Sequence, residues 1–214
     1  MDATEAEPGA AAMRREPSTG QAADTANRLL DAAAAIIAER GIDRLSTTDV
    51  GVRAGTSVGT VYRYFEDRDA LIRALYERSV AHVRHALIAA AATSQGTLEA
   101  DVRALLAAYL HEHRTLPAYQ AVRTWQWLRH DAHGHRTIAV DLSAHDLLSV
   151  LGPRYGLALD DARSARIATA VRRADALVLA AFLDEPDLDD ASAVELLAAT
   201  ETMLVAAILA ALAD

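Results

Sequence analysis

The sequence contains neither cysteine nor lysine. Without cysteine there is no disulfide, no thiolate metal site and no cysteine nucleophile, which fits a reducing compartment. Arginine is then the only fixed cation, a bias we read as genomic composition rather than function. Aromatic residues make up only 5% of the chain, while alanine runs abound. Alanine favours helices and is poor in strands, so closely packed helices are expected. No uninterrupted apolar run reaches the roughly 18 residues of a membrane span, and the first residues lack the apolar core of a signal peptide. The expectation is a soluble, cytoplasmic protein. With 214 residues, 52% of them apolar, a sizeable core is attainable, either in one large domain or in a small one followed by a larger one.

The formal net charge is −9, which at first sight disfavours a nucleic-acid partner. Its distribution is more informative. Residues 1–23 carry two Arg and four acids (−2), residues 24–68 six Arg and seven acids (−1), and residues 69–214 thirteen Arg and nineteen acids (−6). The segment 24–68 is nearly neutral. If it binds DNA, it does so through placed contacts rather than bulk attraction.

Along the chain, residues 1–23 mix Ala, Glu, Pro, Gly, Ser and Thr without period and read as a disordered tail. Helical signals begin near Asp24. Leu29, Ala33, Ile36 and Ile37 share a face, and Gly41 is a natural C-cap. Two short helices follow, from about Thr47 to Ala54 and from Ser57 to Phe65, with a turn at Gly55. A long helix is expected from Arg68 to about Ala92. Further helices are expected near 97–114, 117–130, 136–151, 160–183 and 189–212, separated by Gly96, Pro117, Gly134, Gly152-Pro153 and Asp184-Glu185-Pro186-Asp187. No stretch alternates long enough to be a strand, and there is no internal repeat. The fold class is all-α, with nine helices expected.

The segment Thr47–Phe65 carries the chemistry. Val50 and Ala54 lie four apart on the first short helix, as do Val61 and Phe65 on the second, so the two pairs can meet. Gly51 is the small residue at the crossing, Gly55 supplies a left-handed turn, and Thr47 and Ser57 are placed to cap. The outer face of the second helix then presents Val58, Gly59, Thr60, Tyr62 and Arg63. Val58 and Thr60 can touch a thymine methyl, Gly59 permits close approach, and Arg63 can reach a guanine or a phosphate. The hydroxyls of Tyr62 and Tyr64 can donate to phosphates. Arg68 adds a charge at the start of a long helix.

At these residues the sequence resembles the TetR family of repressors. The similarity begins at Arg28-Leu29-Leu30-Asp31-Ala32-Ala33, passes through Glu39-Arg40-Gly41, and culminates in Arg53-Ala54-Gly55-Thr56-Ser57-Val58-Gly59-Thr60-Val61-Tyr62-Arg63-Tyr64-Phe65, with Arg68 and Leu71 beyond. It covers roughly residues 24–75. Gly51, Thr56 and Arg68 stand where Ala, Val and Lys are common. The resemblance implies a three-helix helix-turn-helix DNA-binding domain (24–68), then a larger helical effector-binding and dimerisation domain (69–214). It implies that Thr47, Ser57, Thr60, Tyr62, Tyr64 and Arg68 contact the DNA backbone and that Val58, Gly59 and Arg63 lie nearest the bases. Thr48 and Arg53 complete the expected set. It also implies a homodimer on a pseudo-palindromic operator, released by a small-molecule effector. An activator, an effector-independent regulator, or a helical adaptor that uses the same face for protein are the alternatives.

No paired-carboxylate, serine-elbow or phosphate-loop signature is present, so no enzyme and no cofactor are expected. His111, His113, His130, His133, His135 and His145 cluster in sequence, but no cysteine supports them and Gly134 suggests a loop. The expectation is solvated histidines and no metal, with metal sensing or effector contact as the alternatives. Trp125 and Trp127 face different directions. Trp125, with Tyr109, His113, Tyr119 and Leu128, is the candidate effector lining. On the last two helices, Val171, Ala174, Leu177, Val178 and Phe182 form one stripe and Leu197, Thr200, Leu204 and Ile208 another. Together they are the candidate dimer interface, a four-helix arrangement across a two-fold axis.

Overall fold

The computed structural model describes residues 20–93, 96–131, 151–152, 154–155, 161–184 and 189–213. Among these residues every regular element is a helix, as the alanine-rich composition leads one to expect. In order they are α1 (Gly20–Arg40), a short 3-10 turn (Ile42–Arg44), α2 (Thr47–Arg53), α3 (Val58–Tyr64), α4 (Arg68–Thr93), α5 (Leu98–Thr115), α6 (Pro117–Asp131), α7 (Asp161–Asp184) and α8 (Asp190–Ala213).

The expected α1 face is the buried one: Leu29, Ala33, Ile36 and Ile37, joined by Ala26, Leu30 and Ala32. The helix starts at Gly20, so the last four residues assigned to a disordered tail are helical, and residues 1–19 lie outside the described part. Thr25 bonds back to the Gln21 carbonyl (2.9 Å) within this added turn. At the other end, the Gly41 amide donates to the Ile37 carbonyl (2.9 Å), and Gly41 takes φ 80° and ψ 160°. That backbone region is open essentially to glycine alone. Side chains cap the later helices: Asp67 accepts from the Ala70 amide (2.6 Å), Thr97 from Ala100 (3.3 Å) and Asp189 from Ser192 (2.7 Å). Pro117 opens α6, where a missing N–H costs nothing. The expected helix 136–151 lies almost wholly outside the described residues, although Leu151 and Gly152 are helical.

Packing divides the chain into two compact units, one of Met1–Ala81 with Leu116–Arg136, the other of His82–Thr115 with Thr137–Asp214. The division falls inside α4 rather than at residue 68, and α6 belongs to the first unit, the head, packing on α1 and the 3-10 turn.

In the second unit, α5 packs on α8 and α8 on α7. Arg103 forks onto Glu201 (2.7 and 2.6 Å), and Arg114 reaches Asp190 (3.0 Å), so α5 and α8 run antiparallel. Tyr109 bonds Asp175 while His113 stacks on Phe182 at 5.5 Å, so α5 and α7 run in the same sense. The buried side of α5 is Leu98, Val102, Leu105, Leu106, Tyr109, Leu110 and His113, a helical period throughout.

Candidate nucleic-acid interface

The head is built around a crossing of α2 and α3. Val50, Val61 and Phe65 are fully buried there with Leu45 and Leu71, as their spacing predicts, and Ala54 is half-buried. A Cβ placed on Gly51 would sit 3.2 Å from the Val58 nitrogen and 3.3 Å from Thr56 O and Ser57 C. Gly51 is thus the point of contact between α2 and the turn. Gly55 takes φ 68°, and the Thr56 amide returns to the Gly51 carbonyl (2.9 Å). This closes the helix as a left-handed glycine cap does.

Ser57 caps α3 as expected, accepting from the Thr60 amide (3.2 Å), and its hydroxyl also meets that of Thr60 (3.1 Å). For α2 the expected cap is corrected by one residue. Ser46, not Thr47, is the N-cap: its Oγ accepts from the Asp49 amide (3.1 Å) and donates to Asp49 Oδ2 (2.7 Å). The pattern Ser46-x-x-Asp49 is a variant of the capping box, so the signal was present in the sequence. Freed from capping, Thr47 donates through Oγ1 to the Tyr62 hydroxyl (3.2 Å).

On α3, Val58, Gly59, Tyr62 and Arg63 are exposed, and Thr60 is half-buried. Tyr62 and Tyr64 separate sharply, at 46% and 5% exposure. The Tyr64 ring therefore works chiefly as core, 6.5 Å from the Phe65 ring. The Arg63 guanidinium lies over it, 5.1 Å from the centroid, a cation–π contact that holds the exposed cation against the head. On α2, Thr48 and Val52 are exposed four residues apart.

The other two arginines of the expected set have partners inside the head. Arg53 is gripped by Glu39 of α1, with Nη1 2.6 Å from Oε2 in a two-pronged pair. That hydrogen bond holds the Glu39 carboxyl below its ordinary value and raises the Arg53 guanidinium. Arg68 turns onto backbone: Nε donates to the Leu45 carbonyl (3.0 Å) and Nη2 to that of Ile42 (2.5 Å). Neither partner is signalled by local spacing.

The candidate effector residues are divided between the units. Tyr119, buried, and Trp125, half-buried, lie on α6 in the first; Tyr109 and His113 lie on α5 in the second. The Leu128 side chain falls outside the described part. Tyr109 donates to buried Asp175, and His113 joins its Nδ1 to the Tyr109 carbonyl (2.9 Å). The solvated reading of His113 is therefore corrected, since it is 1% exposed. His111 is exposed, and the side chains of His130, His133, His135 and His145 lie outside the described residues. Among the described residues, no group of three or more His, Cys, Asp and Glu is arranged to hold a metal.

Of the candidate dimer residues, Val171, Ala174, Val178, Phe182, Thr200, Leu204 and Ile208 are buried within the single chain. Leu197 is half-buried and Leu177 is exposed. The periodic stripes are thus largely the faces that α7 and α8 turn to their own core. The apolar residues left outside are Leu177 and Leu183 on α7 and Val194 and Leu209 on α8.

A cluster absent from the sequence reading joins Asp101, Arg154 and Tyr155. Asp101 is wholly buried, paired with Arg154 and hydrogen-bonded by the Tyr155 phenol (2.8 Å). Burial, then the bond to Asp101, pushes the Tyr155 phenol above its ordinary value.

Comparison with known proteins follows the same division. A family model described as bacterial regulatory proteins, tetR family, matches residues 29–75. An uncharacterized HTH-type transcriptional regulator of Bacillus subtilis, YvdT, is 42% identical over 55 residues, 26% of this chain and 28% of its own length. One from Mycobacterium tuberculosis is 36% identical over 61 residues, 28% of this chain and 32% of its own. The chain thus matches about 30% of the length of these curated relatives, which are named as regulators and not as enzymes. A TetR-family transcriptional regulator from Streptomyces coelicolor superimposes with a TM-score of 0.67 at 26% identity, covering 87% of this chain and 96% of that one. The fatty acid degradation regulator FadR from Bacillus halodurans shares the fold at 16% identity, with a TM-score of 0.60 over 84% of this chain and 94% of its own. The head thus matches the tetR family of bacterial regulatory proteins over residues 29–75, and the fold is shared across nearly the whole chain with a TetR-family transcriptional regulator.

Proposed function

We propose that the protein is a dimeric repressor that binds a pseudo-palindromic DNA operator through α3 and leaves it when a small-molecule effector binds. The observation that carries the reading is the two-sidedness of α3. Val61 and Phe65 are fully buried while Val58, Gly59, Tyr62 and Arg63 stand exposed on a helix whose start is capped by Ser57. An exposed face of small apolar, hydroxyl and guanidinium groups suits base edges and phosphates in a major groove. Thr47, Thr48, Ser57, Thr60 and Tyr62 are then the backbone contacts, and Val58, Gly59 and Arg63 lie nearest the bases.

Dimerisation is supported by α8. Residues Asp190–Ala210 have a mean hydropathy of 1.8, long and apolar enough to cross a membrane by length and composition, yet only 17% of that window is buried in the chain. A second copy covering Leu177, Leu183, Val194 and Leu209 about a two-fold axis removes this surface from water. Two heads then meet successive major grooves about 34–36 Å apart.

The effector is assigned to the α5 residues Tyr109 and His113 of the second unit. A molecule that reaches Tyr109 or His113 must compete with Asp175 for the phenol and with Phe182 for the imidazole face. It releases DNA only if it favours one head spacing over another. Selection of duplexes from a randomised pool by the full-length protein tests the reading. Enrichment of a motif with two inverted halves supports it, and no enrichment over bulk DNA refutes it. A thermal-shift screen then finds the effector, which must also lower affinity for the enriched duplex.

A further inference from the structure

We infer that Arg68 is a positioning residue that sets where α2 begins, rather than a ligand for DNA phosphate. The inference rests on the reading of α2 and α3 as the DNA-binding pair. Each nitrogen of the guanidinium already faces an acceptor: Nε the Leu45 carbonyl (3.0 Å), Nη2 the Ile42 carbonyl (2.5 Å) and Nη1 the Asp69 carboxylate (3.5 Å). The side chain is 31% exposed, so these bonds are partly shielded from water.

The two carbonyls bracket the 3-10 turn that joins α1 to α2. Leu45 is buried and directly precedes Ser46, the cap that starts α2. Arg68 is itself the first residue of α4, whose opening turn is fixed by Asp67 accepting from the Ala70 amide. One side chain thus ties the start of α4 to backbone 23 and 26 residues earlier. From Leu45 the linkage continues through the Ser46 cap to Thr47 and its bond to Tyr62. A change in the direction of α4 is delivered by this route to α2 as well as to α3. The planar guanidinium is required, because it presents donors in a rigid fork that spans both carbonyls, whereas the three donors of a lysine ammonium radiate from one point on a flexible stem.

Arg68→Lys and Arg68→Ala in the full-length protein separate the two roles. The first readout is amide hydrogen exchange without DNA. Both variants are expected to speed exchange at Asp49 and Val50 by about tenfold or more, with α5 amides unchanged. The second is affinity against salt for the duplex enriched by the unmodified protein. Both variants are expected to bind more weakly with an unchanged salt slope, whereas losing a phosphate ligand lowers the slope by about one per head. Wild-type binding by Arg68→Lys, with a reduced slope for Arg68→Ala and unaltered exchange at Asp49 and Val50, overturns the inference. So does a rise in exchange that is equal in α2 and α5. If the unmodified protein enriches no duplex, the repressor reading fails, and the exchange experiment still decides what Arg68 does.

Discussion

The hydroxyls of Thr47 and Tyr62 meet at 3.2 Å, joining the first residue of α2 to the exposed face of α3. Fifteen residues separate them in sequence, and the glycine turn between brings them together. The pair presents two hydroxyls as one unit on the face assigned to DNA. Its Tyr62 member can donate its own O–H to a phosphate while accepting from Thr47.

Replacing Tyr62 by Phe removes that donor without altering the ring. A hydrogen bond to a charged group is worth about 1.5–3 kcal/mol, so affinity is expected to fall about tenfold or more per head. Because phosphates carry no sequence information, all operators should weaken alike. Binding titrations on the enriched duplex and on base-substituted versions check this. A loss of discrimination with affinity retained would reverse the roles given to Tyr62 and Arg63.

Much of this head is legible in the sequence because short-range chemistry determines it. The spacing of Val50, Val61 and Phe65, the turn at Gly55 and the Ser57 cap follow from local rules. What local rules do not reveal is the partner of a long side chain. Arg53 and Arg68 look like DNA contacts, yet one meets Glu39 and the other carbonyls 23 and 26 residues away. The same limit applies to α7 and α8. Periodicity finds an apolar stripe, but α8 is apolar on more than one side, so the pattern does not say which side meets the chain's own core. Phe182, assigned from its stripe to a dimer surface, instead stacks on His113.

Two glycines of the head should respond differently. Gly55→Ala places a side chain at φ 68° with nothing within 4 Å, so its cost is conformational, about 1–2 kcal/mol. Gly51→Val meets backbone of the turn at 3.2–3.3 Å, which cannot rotate aside. It is expected to cost more than Gly55→Ala and to weaken DNA binding by displacing α3. Chemical denaturation ranks the two, and equal costs would argue against a tight crossing at Gly51.

Leu177 and Phe182 lie five residues apart on α7 and should behave oppositely. Leu177→Arg is expected to yield a folded monomer, since Leu177 is exposed in the single chain. Phe182→Ala opens the core and is expected to cost about 3–5 kcal/mol in stability without that selective loss of dimer. Sedimentation and thermal melting distinguish them. A Leu177→Arg protein that stays dimeric would move the interface elsewhere.

The Glu39–Arg53 pair predicts a pH dependence. The Glu39 carboxyl is held below its ordinary 4.5 by its bond to Arg53, so its stabilising effect is present above that value. It is lost as the pH falls through the lowered value and the carboxylate is protonated. Both side chains are well exposed, so the effect is small. The melting temperature of wild type should exceed that of Glu39→Gln near pH 7, and the gap should narrow as the solution is acidified below the ordinary carboxylate value. A gap independent of pH would contradict this.

Hydroxyl-radical footprinting on the enriched duplex reads the placement of both α3 helices at once. A two-fold dimer should give two protected patches related by two-fold symmetry, with centres about 10–10.5 base pairs apart, and their joint loss in Leu177→Arg at concentrations that saturate wild type. A single protected half-site that is unchanged in Leu177→Arg, or no protection at all, would contradict it.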